Sequence, residues 1–130
     1  MKIFGIGTDI INIKRIEKSL KRGGNKLKNK IFSMNEIIYC EKKRYPGAFY
    51  AKRFAAKEAL TKALGVGIRK SINLRNIEIS NDVNGKPSIH LTGAVDNYLK
   101  KQIKRKKYNI HLSLSDDIPW AQATVIITYN

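Results

Sequence analysis

Three short segments of this 130-residue chain gather the residues able to do chemistry. The first, Gly5-Ile6-Gly7-Thr8-Asp9-Ile10, sets a carboxylate at the end of an apolar run beside two glycines. A carboxylate so placed could bind a hard cation such as Mg²⁺, which commonly takes one or two protein carboxylates together with phosphate oxygens. Asp9 could equally cap a turn or a helix, and by position alone that is the commoner role. The glycines lack the third member of a dinucleotide-binding fingerprint. The second segment runs Arg53-Phe54-Ala55-Ala56-Lys57-Glu58-Ala59-Leu60-Thr61-Lys62. Glu58 and Lys62 are one helical turn apart and share a face. They could pair a metal ligand with an amine base, or form a surface ion pair worth about 0.3–0.5 kcal/mol. Glu17 and Lys21 repeat the same spacing. The third, Asn109-Ile110-His111-Leu112-Ser113-Leu114-Ser115-Asp116-Asp117, alternates with period two. Ile110, Leu112 and Leu114 then face a core, while His111, Ser113 and Ser115 face a ligand or solvent. No nucleophile elbow accompanies them, which argues against a hydrolytic triad. Two histidines and one cysteine argue against a zinc site built from His and Cys.

The elements that must position these residues can be read from periodicity and punctuation. A strand over 2–10 leads into a helix over 13–20 that Gly23-Gly24 should stop. A second helical stretch begins at Ser33, with Glu36 placed to complete a capping box. Pro46-Gly47 precedes a long helix over 48–64, whose stripe Ala56, Ala59, Leu60, Ala63, Leu64 has helical spacing. Gly65 and Gly67 should end it. Strands over 77–80 and 87–92 flank the Asn84-Gly85 hairpin signal. A helix over 94–106 aligns Val95, Leu99 and Ile103, and strands over 109–115 and 123–129 join through 116–120. The expectation is an α+β class: a single compact domain over 1–130 with an antiparallel sheet and a long central helix.

A hydrophobic share of 42% suits a globular chain, and the longest apolar runs are too short to cross a bilayer. The start reads as a strand entering a turn rather than a signal peptide, and Cys40 has no internal disulfide partner. A cytoplasmic, membrane-free protein is expected. The formal net charge of +16 asks for an anionic partner, although a composition crowded with Lys, Ile and Asn also raises it without functional demand. One rival reading is a small nucleic-acid-binding protein, with Lys100-Lys101 and the run 104–107 on phosphates and Tyr98 and Tyr108 stacking bases. It has no use for Asp9, Glu58 and Lys62. A second rival is a catalytically idle scaffold for a carrier protein, against which the same intact set argues.

Taken together and in order, the segments resemble the holo-acyl-carrier-protein synthase family, the small bacterial type of 4'-phosphopantetheinyl transferase. The resemblance spans almost the whole chain. It rests on Gly5-Ile6-Gly7-Thr8-Asp9, on Arg53-Phe54-Ala55-Ala56-Lys57-Glu58-Ala59 with Lys62, and on Asn84-Gly85-Lys86-Pro87. It closes on His111-Leu112-Ser113-Leu114-Ser115 and on Trp120-Ala121 with Ala123-Thr124-Val125-Ile126. One departure stands out: many members carry His where this chain has Asp116, so no role of that histidine carries over.

The resemblance implies the 4'-phosphopantetheinyl transferase fold and transfer of the phosphopantetheine arm of coenzyme A to a serine of an acyl carrier protein. Adenosine 3',5'-bisphosphate would leave, in support of fatty acid biosynthesis. It implies Mg²⁺ held by Asp9 and Glu58, with Lys62 either helping to deprotonate the serine or steadying phosphate charge. Coenzyme A would meet Arg53, the turn residues Gly85, Lys86 and Pro87, and the strand end at Ser115 and Asp116. Arg15 and Arg22, within a basic cluster that also holds Lys14, Lys18 and Lys21, would receive the acidic carrier. The family typically forms trimers with active sites between neighbouring subunits, so a homotrimer is expected, with no nucleic acid and no membrane among the partners.

Overall fold

The computed structural model describes residues 1–65 and 72–130. In chain order the elements are β1 (Lys2–Asn12), α1 (Ile13–Ile31), α2 (Met34–Glu41), α3 (Pro46–Leu64), β2 (Ile77–Asn81), β3 (Pro87–Leu91), α4 (Gly93–Gln102), β4 (Tyr108–Asp117) and β5 (Trp120–Tyr129). A short 3-10 turn, Leu74–Asn76, leads into β2. The antiparallel strands β1, β5 and β4 form one sheet in that order, and β2 pairs with β3 as a separate hairpin. This is the α+β architecture that the sequence predicts.

The long helix α3 lies on the three-stranded sheet and is the spine of the fold. Ala55, Ala56, Ala59, Leu60, Ala63 and Leu64 are buried along it, against Ala123, Val125 and Ile127 of β5. Its contact with β1 is closer than ordinary side chains allow. A Cβ on Gly5 would stand 2.0 Å from the Ala63 carbonyl oxygen, and one on Gly7 would stand 1.9 Å from that of Ala59. The two glycines are therefore required by close backbone approach rather than by flexibility. With period two, Asp9 follows on the same helix-facing side of β1, while Ile6, Thr8 and Ile10 face the other way.

Helix ends follow local chemistry. Asn12 caps α1, its side-chain oxygen accepting from Lys14 N and Arg15 N. The Ser33–Glu36 capping box forms as expected, with Ser33 Oγ accepting from Glu36 N and Glu36 Oε1 accepting from Ser33 N. Pro46 opens α3 at a position where a missing N–H costs nothing, and Gly65 closes it with φ 102°. Gly67 lies outside the described residues.

Three boundaries differ from expectation. Gly24, with φ 64°, breaks the first helix without ending it, and α1 resumes to Ile31. The fourth helix stops at Gln102 rather than 106, because Lys104 and Arg105 turn left-handed and Arg105 N donates to Lys100 O at 2.7 Å. Val95, Leu99 and Ile103 are nonetheless buried together as their spacing predicts. Pairing of β4 with β5 continues to Asp117 and Trp120, which shortens the connection to Ile118-Pro119. Pro119 O accepts from Ile13 N at 2.8 Å and so ties that turn to the start of α1.

Candidate functional site

The β1–α3 contact delivers the first two segments to one place. Asp9, Glu58 and Lys62 line a cleft of about 440 Å³ with Ile10, Ile11, Arg15, Ile16, Ser19 and Phe54. Lys62 Nζ donates to Asp9 Oδ1 at 3.2 Å and to the Thr8 carbonyl at 2.9 Å. The Asp9 side chain is 18% exposed and that of Lys62 is 46% exposed, so the pair sits at the cleft mouth rather than in the core. A larger hollow, about 520 Å³, lies between α1 and the 3-10 turn, lined by residues such as Leu27, Ile31, Ile72 and Leu74. None of its described lining residues is a carboxylate, whereas the smaller cleft has two.

The donor set suits a hard cation. Two carboxylates from different elements face one polar cleft, and Mg²⁺ characteristically takes such a pair with phosphate oxygens completing its shell. Among the described residues no group of three or more His, Cys, Asp or Glu side chains gathers as a ready-made metal cage.

The remaining expected residues are distributed around this cleft. Arg15 lines it, and Arg22, two helical turns further on α1, is exposed but lies outside it. Gly85, Lys86 and Pro87 sit at the β2–β3 turn, where Asp82 Oδ1 accepts from Asn84 N and Lys86 N, and Gly85 adopts φ 86°. Ser115 Oγ donates to Gln122 Oε1 at 3.2 Å, and Asp116 pairs with Lys52 at 3.3 Å. Gly85, Lys86, Pro87, Ser115 and Asp116 lie outside the lining of the Asp9 cleft of their own chain.

Arg53 is drawn inward in this chain. The resemblance sets it against coenzyme A; here it is 2% exposed, and Nη2 donates to Asn81 Oδ1 at 2.8 Å and towards Ile79 O at 3.5 Å. Its guanidinium lies 4.1 Å from the centroid of the Tyr39 ring, and its buried Nε has no hydrogen-bond partner among the described residues. Helical position alone could not distinguish this inward arginine from an outward one.

Sequence reasoning also passed over Lys57. It is fully buried, with Nζ donating to Glu36 Oε1 at 2.8 Å, Leu74 O at 2.7 Å and Ile77 O at 2.6 Å. Burial pushes its ammonium below the usual lysine range, and Glu36 opposes that shift. A cation ladder was likewise invisible, with Lys43 over the rings of Tyr39 and Phe49 and Lys52 over Phe49. The aromatic residues of the nucleic-acid reading have other employment. Tyr108 donates to Asp96 at 2.7 Å, and Tyr98 packs on the main core.

A small α+β fold with two carboxylates and a lysine from β1 and α3 at one cleft defines a class suited to metal-assisted phosphoryl chemistry. The sequence model of the 4'-phosphopantetheinyl transferase superfamily matches residues 5–123. Holo-[acyl-carrier-protein] synthases of Brucella ovis and Brucella canis are 44% identical over 126 residues, covering 96% of this chain and 94% of each relative. The crystal structure of the Neisseria meningitidis holo-[acyl-carrier-protein] synthase superposes with a TM-score of 0.86 at 37% identity, covering 98% of this chain and 99% of that one. A Bacillus anthracis holo-(acyl-carrier-protein) synthase in complex with CoA (3',5'-ADP) gives 0.79 at 35% identity, with 98% of both chains covered. The chain belongs to the holo-acyl-carrier-protein synthase family of the 4'-phosphopantetheinyl transferase superfamily.

Proposed function

We propose that one domain spanning 1–130 transfers the 4'-phosphopantetheine group from coenzyme A to a serine of apo acyl carrier protein, releasing adenosine 3',5'-bisphosphate. The observation that carries this reading is the meeting of Asp9, Glu58 and Lys62 at one cleft. In this reading Asp9 and Glu58 hold Mg²⁺. When bound, the ion would neutralise charge on the pyrophosphate and orient the groups for in-line displacement. Glu58 faces the cleft from a helix held on β1 by backbone-close packing at Gly5 and Gly7. Of the two roles open to Lys62, we assign charge balance. Its Nζ lies 2.9 Å from Thr8 O and 3.2 Å from Asp9 Oδ1, where a positive charge offsets the carboxylate. Asp116 pairs with Lys52, so this strand end presents a neutralised pair where many relatives carry a histidine.

The carrier protein is acidic, and Arg15 at the cleft rim with Arg22 on the exposed side of α1 supplies opposite charge, which favours rapid, salt-sensitive encounter. The outer face of the sheet carries Ile6 and Ile10, 65% and 63% exposed, an apolar strip suited to burial against copies of the chain. A closed homotrimer of such copies would bring the 84–87 turn or the Ser115–Asp116 strand end of one subunit to the Asp9 cleft of another. The enzyme would then act in the cytoplasm in support of fatty acid biosynthesis. No described helix is long and apolar enough to cross a membrane.

The test mixes the chain with apo carrier protein, coenzyme A and Mg²⁺ and weighs the carrier. A phosphopantetheine mass gain is expected, lowered roughly 100-fold or more in rate by Glu58→Ala with the fold retained. No gain where a known transferase succeeds refutes the reading. Light scattering on Ile6→Lys tests the assembly: dissociation with loss of transfer is expected, and an unchanged active oligomer would reject that interface.

A further inference from the structure

On the side of α3 away from Asp9 lies a buried polar system that the transfer chemistry does not use. The three donors of the Lys57 ammonium are matched by three acceptors, Glu36 Oε1, Leu74 O and Ile77 O. The other oxygen of Glu36 accepts from Ile79 N at 3.0 Å. One ion pair thus grips the chain at residues 74, 77 and 79, through the 3-10 turn and the first half of β2. One helical turn earlier, Arg53 grips the second half of β2 through Ile79 O and Asn81 Oδ1. Asn81 Nδ2 then donates to the Gly85 carbonyl at 3.0 Å. A continuous path of hydrogen bonds therefore runs from α3 through β2 to the 84–87 turn.

We propose that Lys57 and Asn81 are positioning residues for coenzyme A, bracing the β2–β3 hairpin and its turn against α3. The proposal rests on the transfer function and on the turn as a coenzyme contact. Two features favour a positioning role over a contribution to stability alone. A buried ion pair gives little net stability compared with apolar packing of the same volume, yet its fixed acceptors set distances that apolar contacts leave looser. The brace also ends at the turn by way of Asn81, a partly exposed side chain that fills no core space. Neither Lys57 nor Asn81 lines the Asp9 cleft or lies on α1, so carrier docking should not depend on them.

The test compares wild type, Lys57→Met, Lys57→Met/Glu36→Gln and Asn81→Ala, measuring calorimetric affinity for coenzyme A, KM for each substrate, kcat and the thermal midpoint. Lys57→Met is expected to lower kcat/KM for coenzyme A about 100-fold, with KM for the carrier essentially unchanged. Removing the orphaned carboxylate in the double variant should recover thermal stability without recovering coenzyme affinity. Recovery of both together would reduce Lys57 to a structural residue and overturn the proposal. Should the Lys57 variants fail to fold, Asn81→Ala decides, because it leaves the buried pair intact. A coenzyme affinity weakened about tenfold is expected, and an unchanged affinity overturns the proposal. Transfer by wild type in the same assay separates this outcome from failure of the functional reading.

Discussion

Lys57 and Lys62 stand five residues apart on one helix and lead opposite lives. Lys57 points into the protein, is fully buried and is held by one carboxylate and two carbonyls. Lys62 points to the cleft mouth, is 46% exposed and bridges Asp9 and the Thr8 carbonyl. Both pair with a carboxylate from another element, so ion pairing is not the difference. Solvent is. A charge removed from water is costly unless its donors are paired and so becomes a fixed distance, whereas a charge at a rim can exchange partners with solvent. The same helix therefore has a braced side towards β2 and a working side towards β1.

The contrast can be broken by experiment, the largest effect first. Lys57→Met should cost about 3–5 kcal/mol in urea denaturation, because it leaves Glu36 buried and uncompensated. Lys62→Met should cost no more than about 1 kcal/mol, as an exposed pair does, while lowering transfer. Equal stability losses would erase the distinction between the two sides. On the working side, Gly7→Ala should cost about 3 kcal/mol, since its Cβ would meet a backbone oxygen that cannot swing away. A loss below about 0.5 kcal/mol would mean that the β1–α3 contact is looser than its geometry. On the braced side, Ser33→Ala should cost about 1 kcal/mol by removing the α2 cap, read as a lower thermal midpoint.

The smallest effect is a pH dependence beside the braced side. The Tyr50 hydroxyl, and then Lys28, hold the Glu41 carboxyl below its ordinary value of 4.5 against partial burial. A carboxyl with a depressed folded-state pKa contributes stability above that ordinary value and loses it as pH falls through the depressed one. Tyr50→Phe should therefore flatten the acid limb of the stability profile, and an unchanged limb would remove Glu41 from it.

Much of the fold was legible in local signals. The capping box at Ser33 and Glu36, the burial of Val95, Leu99 and Ile103, and the alternation of Ile110, Leu112 and Leu114 all appear where pattern reading puts them. Local signals failed at two helix boundaries. Gly24 looks like a stop but only kinks α1, and the fourth helix ends at a left-handed Lys104-Arg105 pair that has no glycine to announce it.

The candidate site was legible only as separate pieces. Asp9 read singly as a cap, Glu58 with Lys62 as a surface pair, and it was ordered resemblance that joined them. The sequence by itself determined which residues were available and on which periodic face each would lie, because helix and strand geometry depend on neighbours in the chain. Only the tertiary structure decided that Gly5 and Gly7 exist to let α3 descend on β1, bringing Glu58 and Lys62 to Asp9 across some fifty residues of chain. It also decided that Arg53 and Lys57 turn inward, because burial is a property of what packs against a residue and not of the residue itself.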